Sequence, residues 1–233
     1  IESSVRIILE HKRWRFSKDE RDSNFVVPFD PGMASIVEWF ALFRHECKRR
    51  GGEMSDMLAN IDKAVAMTYD LPPEGIDWKD FNTSVGDVDD PEDIPYSSVK
   101  EFSSCIIAYV LGAIFGRWDI RYATGQKPTP QLPDPFASLA ICSPGILQED
   151  DGLPLSSSSG RKLQAEGLYP LEVAWDGVLV DDSEHPLDLV CHVHSALGVI
   201  WGDRVIWGDI APPAGVSVDS APLRSHRPAA STM

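Results

Sequence analysis

Between Ser103 and Phe115 the chain carries no charge, and the run ends abruptly in Arg117, Asp119 and Arg121, so the stretch Phe102 to Gly125 predicts a buried central helix with a polar exit. Ser97 or Ser98 is placed to cap it. Gly112 and Gly116 stand four apart on one face, which predicts the close approach of another backbone. The run is too short to cross a bilayer, which needs about 20 apolar residues.

Other stretches repeat the helical spacing. From Met33 to Arg49, Ile36, Val37, Phe40, Leu42 and Phe43 form one face, ended by Gly51-Gly52. A second pattern, with Ser55 as its N-cap, places Met57, Leu58, Ile61, Val65 and Tyr69 at three- and four-residue steps until Pro72-Pro73. Two helices joined by a Gly-Gly turn predict a helical hairpin. Upstream, Val5, Ile8 and Leu9 mark a short helical or strand-like start, and Phe25 to Phe29 a brief extended segment.

After Gly125 the periodicity breaks down among Pro128, Pro130, Pro133, Pro135 and Pro144, and Ser156 to Ser159 read as a flexible tip. Leu171, Val173 and Trp175 then alternate with polar or small residues, Asp176-Gly177 makes a turn, and Val178 to Val180 suit a strand. Pro186 fits the first turn of a last helix, with Leu189, Val190, Val193, Leu197, Ile200 and Trp201 on one stripe. Residues 199–204 read VIWGDR and residues 205–210 VIWGDI, a tandem too short for a repeat architecture.

The expected fold class is α+β, mainly helical with a small β element and long Pro-rich irregular segments. Four parts are expected: a helical segment 1–71 containing the hairpin, an acidic linker 72–97, a central helix plus small α/β accessory region 98–204, and a disordered tail 205–233.

Charge and composition narrow the function. The 233 residues carry a net charge of -15, which repels a phosphate backbone and makes the chain as a whole a poor nucleic-acid binder. The first 50 residues nevertheless hold a slight basic excess, in His11 to Arg15 and Lys48 to Arg50. Nearly all of the negative surplus falls in Glu74 to Asp93 and beyond Pro133. Cys47, Cys105, Cys142 and Cys191 are far apart and lack the spacing of a zinc ribbon or redox pair, so reduced thiols are expected. With no secretory signal pattern, the expected location is cytoplasmic, with no membrane partner.

Several constellations invite chemistry. Cys191, His192 and His194 suggest a metal, but residues two apart on a helix point about 200° apart, so the two histidines cannot converge on one ion. Asp77 and Lys79 resemble half of a Mg²⁺-dependent nuclease signature without a second carboxylate on a separate strand. Asp181, Asp182, Glu184 and Asp188 fit a solvated helix N-terminus, where acids favourably meet the dipole. There is no GxSxG, Walker loop or GxGxxG. Arg117 and Arg121, four apart on a predicted helix, are the candidate DNA-binding pair; the plainer reading has them capping the helix and pairing with Asp119 or the linker.

The strings IIAYVLGAIFGRWDIRYATG at Ile106, PDPF at Pro133, CSPGILQEDDGLP at Cys142 and YPLEVAWDGVLVDDSEHPLDLV at Tyr169 together resemble the region after the catalytic domain of large adenine-specific DNA methyltransferases. These are the PglX-like and related enzymes of restriction-modification and BREX phage-defence systems. IDKAVAMTYDLPPEG at Ile61 is similar to the helix-plus-tyrosine ending that precedes that helix in the family. The resemblance runs from Ser55 to Arg204 and is most specific from Ile106 to Asp182.

The resemblance implies a parent that moves a methyl group from S-adenosylmethionine to the N6 amine of adenine, using a glycine-containing cofactor loop and an Asn-Pro-Pro-Tyr tetrapeptide. This chain contains no Asn-Pro pair, so no catalytic or cofactor residue carries over, and no cofactor is expected in it. The implied role is a non-catalytic piece that joins the methyltransferase core to DNA-recognition parts, with the rest of the parent as partner and DNA reached through the parent. The Ile start and the Pro/Ala/Ser tail suggest a truncated or frameshifted reading frame. The alternatives are a stand-alone interaction module whose Phe102 to Phe115 helix docks a partner, and the Asp77 and Lys79 hydrolase.

Overall fold

The computed structural model describes residues 2–33, 35–70, 96–131, 134, 136, 138 and 141–202. The acidic linker apart from its last two residues, Asp77 and Lys79, the second VIWGD motif and the tail lie outside the described residues. The chain is mainly helical, with helices α1 (Glu2–Phe16), α2 (Ile36–Thr68), α3 (Val99–Ile114), α4 (Arg121–Thr124), α5 (Ser157–Ala165) and α6 (Leu189–Trp201). Strand is confined, among the described residues, to isolated bridges between Trp118 and Ile146, Gln148 and Pro154, and Val180 and Asp188.

The predicted hairpin around Gly51-Gly52 is replaced by one continuous helix of 33 residues. Ser55 is exposed in its interior, and the N-cap is Ser35, whose hydroxyl accepts from the Glu38 amide at 3.4 Å. Two glycines in a helix cost about 2 kcal/mol against alanine, so tertiary packing must hold the helix through them. Gly51 is buried and borders a small space shared with His11, Trp14 and Cys47. Arg49 bridges the pair along the surface, reaching Glu46 at 2.7 Å on one side and Glu53 on the other.

A hairpin does form, between α1 and α2. Trp14 meets Phe43 with ring centroids 5.7 Å apart and lies 4.1 Å beneath the Arg50 guanidinium, while His11 reaches Glu53 at 3.9 Å. Stepping back along α1 moves forward along α2, so the two helices are antiparallel. The helical alternative for residues 5–14 therefore holds, and the partner of α2 comes from upstream.

The N-terminal half of α2 turns Trp39, Phe40, Phe43 and Cys47 into the core. Helix α3 meets it there, with Trp39 stacked on Phe102 at 4.5 Å. Ser98 caps α3 by accepting from the Glu101 amide at 3.2 Å, and the Glu101 carboxylate accepts from Ser97 N at 2.8 Å, so both serines serve the helix start. The buried residues Phe102, Ile106, Tyr109, Val110 and Ala113 recur at helical spacing, as the apolar run predicted. Fully burying such large side chains contributes about 1.5–3 kcal/mol each. On another side α3 packs against α6, which buries Ala196, Leu197 and Trp201.

Phe25 to Phe29 is buried throughout, but it forms no strand and bends at Pro28 and Phe29. Phe25 packs edge-on to Trp118 at 4.6 Å, and Phe29 lies 5.1 Å from Trp201. Ser156 to Ser159 are not a free tip: Ser156 caps α5, accepting from the Ser159 amide at 3.2 Å. Pro186 lies before the last helix rather than in its first turn, because Asp188 is the cap and accepts from the Cys191 amide at 2.8 Å. Asp176-Gly177 turns as expected, with Gly177 at φ 69 and its N–H donating to Ala174 O at 2.8 Å.

Candidate functional site

Hydrogen bonds from several separated stretches meet at the junction after α3. Helix α3 stops because the chain closes on it twice: Gly116 N donates to Ala113 O at 3.0 Å, and Arg117 N donates to Gly112 O at 2.8 Å. This pair of bonds satisfies carbonyls that the helix end would leave open and requires a left-handed residue, here Gly116 at φ 73. A Cβ at Gly116 would also lie 2.9 Å from the Trp175 ring.

The turn folds Trp118 back against its own helix, and a Cβ at Gly112 would lie 2.5 Å from the Trp118 indole nitrogen. The two glycines thus admit the side chains of Trp118 and Trp175, and a distant backbone also meets the helix between them, where Ala174 N donates to Ile114 O at 2.8 Å. The indole N–H of Trp118 is buried without a hydrogen-bond partner.

Asp119 follows, fully buried. Its carboxylate accepts from Arg121 Nε and Nη2, both at 2.9 Å, from the Arg121 amide at 3.1 Å and from Lys127 Nζ at 3.2 Å. The pairing raises the pKa of Arg121, chiefly through its hydrogen bonds to Asp119. Tyr169 joins from a distant stretch: its hydroxyl donates to Trp118 O at 3.3 Å and accepts from Ile120 N at 3.2 Å. Burial pushes the Tyr169 phenol above its ordinary range. A third stretch enters through Gly145, whose carbonyl accepts from Asp119 N at 2.9 Å and whose amide donates to Phe25 O at 2.9 Å.

The candidate DNA-binding pair does not assemble. Because α3 ends at Ile114, Arg117 lies in the turn and Arg121 in α4, so they share no helix face. Arg117 lies 4.4 Å over the Trp118 ring, and Arg121 is spent on Asp119 and lies 5.5 Å over Tyr169. The plainer reading of Arg121, pairing with Asp119, is the one observed. Cys191 and His194 are exposed on α6, and His192 Nδ1 lies 2.9 Å from Asp188 O. Among the described residues no group of three or more His, Cys, Asp or Glu side chains is arranged to hold a metal ion. No helix among them is long and apolar enough to cross a membrane. Along the proposed docking helix, Phe102, Ile106, Tyr109, Val110 and Ala113 lie in the core of the chain itself, Ile107 and Leu111 are half-buried and Phe115 is exposed.

Sequence reasoning missed an open cleft of about 620 Å³ beside the junction, lined by Arg161, Gln164, Tyr169, Trp175, Leu187 and His192 among others. Gly160 shapes its wall, because a Cβ there would meet the Trp175 ring within 2.7 Å. Gln164 spans the wall, accepting from the Trp175 indole N–H and donating to Leu171 O at 3.1 Å. Arg161 and Asp176 are paired at its rim. The Leu-x-Val-x-Trp alternation followed by Asp-Gly was the signal for one wall; the serine-rich helix opposite it had none.

The thiols give a test of this packing. Burial raises Cys105 to about 12 and Cys47 to about 11, whereas Cys191 is exposed. An aromatic disulfide reagent should label Cys191 quickly and Cys142 more slowly, with Cys47 and Cys105 labelled only on unfolding, as read by mass. Because the folded values are raised, the stabilisation is fully present below the ordinary thiol value of 9.0 and declines as pH rises towards 11 to 12. A urea midpoint flat across that range, or rapid native labelling of Cys105, contradicts this arrangement.

Comparison of the chain with protein-family models, with curated proteins and with solved structures found no match.

Proposed function

We propose that this chain is a non-catalytic accessory region of a site-specific adenine-N6 DNA methyltransferase of a restriction-modification or phage-defence system. It joins the methyltransferase core to DNA-recognition parts. The reading rests on the resemblance of Ile106 to Asp182, and one structural observation supports a scaffold role for that stretch. The resembling strings GRWDIRYATG, CSPGILQ and YPLEVAWDG converge on one junction, where Asp119 binds Arg121 and Lys127 and Tyr169 binds the backbone of Trp118 and Ile120. Polar groups so engaged hold strands of chain in register, whereas reactive groups need access to a substrate.

In this reading S-adenosylmethionine binds the parent's core, and this chain holds no cofactor. The partner is the remainder of the parent, through which DNA is reached. Sequencing the coding DNA upstream of the Ile1 codon tests it directly. An uninterrupted frame encoding an Asn-Pro-Pro-Tyr tetrapeptide and a glycine-containing cofactor loop is the expected result; a frame without them removes the reading. Incubating the chain with labelled S-adenosylmethionine and adenine-containing duplex should transfer no label, and transfer would refute the non-catalytic role.

A further inference from the structure

The cleft beside the junction spends most of its polar groups on one another. Arg161 and Asp176 are paired at the rim, and the Gln164 amide is used twice, on Trp175 and on Leu171. Glu172 is the exception. It lines the cleft and is exposed between buried Leu171 and Val173, and among the described residues neither its carboxylate nor its backbone N–H and C=O has a partner. His192 lines the same cleft, with Nδ1 2.9 Å from Asp188 O. A carbonyl can only accept, so Nδ1 carries the proton and Nε2 of the neutral ring is an acceptor. Two further lining residues, Val178 and Leu187, are exposed aliphatic side chains.

We propose that this cleft binds a lysine- or arginine-bearing segment of a partner protein. Such a side chain joins an aliphatic stem to a cationic head that only donates hydrogen bonds. The stem matches Val178 and Leu187, and the head matches the Glu172 carboxylate and the His192 acceptor. The main chain of the segment supplies a carbonyl and an N–H for the free pair on Glu172, the groups through which peptides add to an open backbone edge. At about 620 Å³ the cleft is within the range of about 300–1,000 Å³ found for ligand sites. The chain's net charge of -15 draws a basic partner towards it. Anionic ligands match poorly, because Arg161, the one Lys or Arg among the lining residues, is engaged by Asp176 and Glu172 repels them. Nucleobases match no better, since the aromatic lining residues Tyr169 and Trp175 are buried and half-buried and present no exposed ring for stacking.

The assignment is independent of the methyltransferase reading and is tested on the whole chain. A fluorescein-labelled peptide of alternating arginine and valine is titrated by anisotropy, beside one of equal length that alternates glutamate and valine. The arginine peptide should bind with a Kd below about 1 mM and the glutamate peptide should not. Glu172→Gln should weaken binding about fivefold, the upper range for an exposed ion pair. Val178→Lys, which sets a like charge on the aliphatic wall, should weaken it at least about tenfold. Glu10→Gln, on α1 and outside the cleft, removes the same unit of charge and should bind as wild type. All three residues are exposed, so helical content by circular dichroism should be unchanged. Equal weakening by Glu10→Gln and Glu172→Gln overturns the proposal, as does wild-type binding by Glu172→Gln, equal binding of the two peptides or no binding of the arginine peptide. Tighter binding of spermidine than of the arginine peptide, read by competition, also overturns it and assigns the cleft to a free polyamine.

Discussion

Gly145→Ala is expected to destabilise the protein by about 3 kcal/mol, the upper range for forcing one extra methyl into packed surroundings. A Cβ at Gly145 would lie 2.6 Å from Val26 Cα and 2.8 Å from Phe25 O, within the backbone of the buried 25–29 segment. Backbone cannot swing aside as a long side chain can. The same residue donates to Phe25 O and accepts from Asp119 N, so any shift that relieves the clash strains both bonds. Gly52→Ala is the matched contrast: an alanine there meets open space inside a helix and should gain about 1 kcal/mol. Urea midpoints of the two variants should move in opposite directions, and equal stability of Gly145→Ala and wild type would mean that the three stretches do not meet there.

Asp119→Ala is expected to cost about 3 kcal/mol or more, the range for removing one partner of a buried ion pair. The loss is not the strength of the pair alone. Arg121, whose side chain is 24 % exposed, would keep a charge in a site that no longer answers it, while Lys127 at 38 % can still turn to water. Arg121→Ala leaves the opposite defect, a fully buried carboxylate with Lys127 as its one remaining side-chain cation and the residue-121 amide as a donor, and should be comparably damaging. Combining the two should cost less than the sum of the single changes, because the lone charge is gone. By contrast Arg161 and Asp176 are 57 % and 80 % exposed, and Asp176→Ala should change stability by no more than about 1 kcal/mol. Additive effects of Asp119→Ala and Arg121→Ala would show that the bidentate pair is not formed.

The strongest periodicities were legible. Phe102, Ile106, Tyr109, Val110 and Ala113 lie buried because their spacing puts them on one side of a helix, and the uncharged run left no other place for them. Where local signals competed with distant contacts, the distant contacts won. Gly51-Gly52 carries the signature of a helix end, yet α1 packs against Gly51 and α2 continues. Ser156 to Ser159 have the composition of a loose tip, yet Ser156 caps a helix and the neighbouring Gly160 leaves room for Trp175.

For the candidate site the sequence offered residue types and spacings. It marked Gly112 and Gly116 as places of close approach, but not that Trp118 and Trp175 would fill them. It set Arg117 and Arg121 four apart; whether that spacing meant one face depended on where α3 ends, and the left-handed Gly116 ends it first. What the sequence determined by itself was the mainly helical class, the buried identity of α3 and a serine cap at Ser97 or Ser98, because these follow from spacings of a few residues; the cap at Asp188 was not among them. Only the tertiary structure decided that Arg121 serves Asp119, that Tyr169 closes the junction and that α1 packs against α2. Each of those depends on which segments meet, and packing between distant parts of the chain sets that.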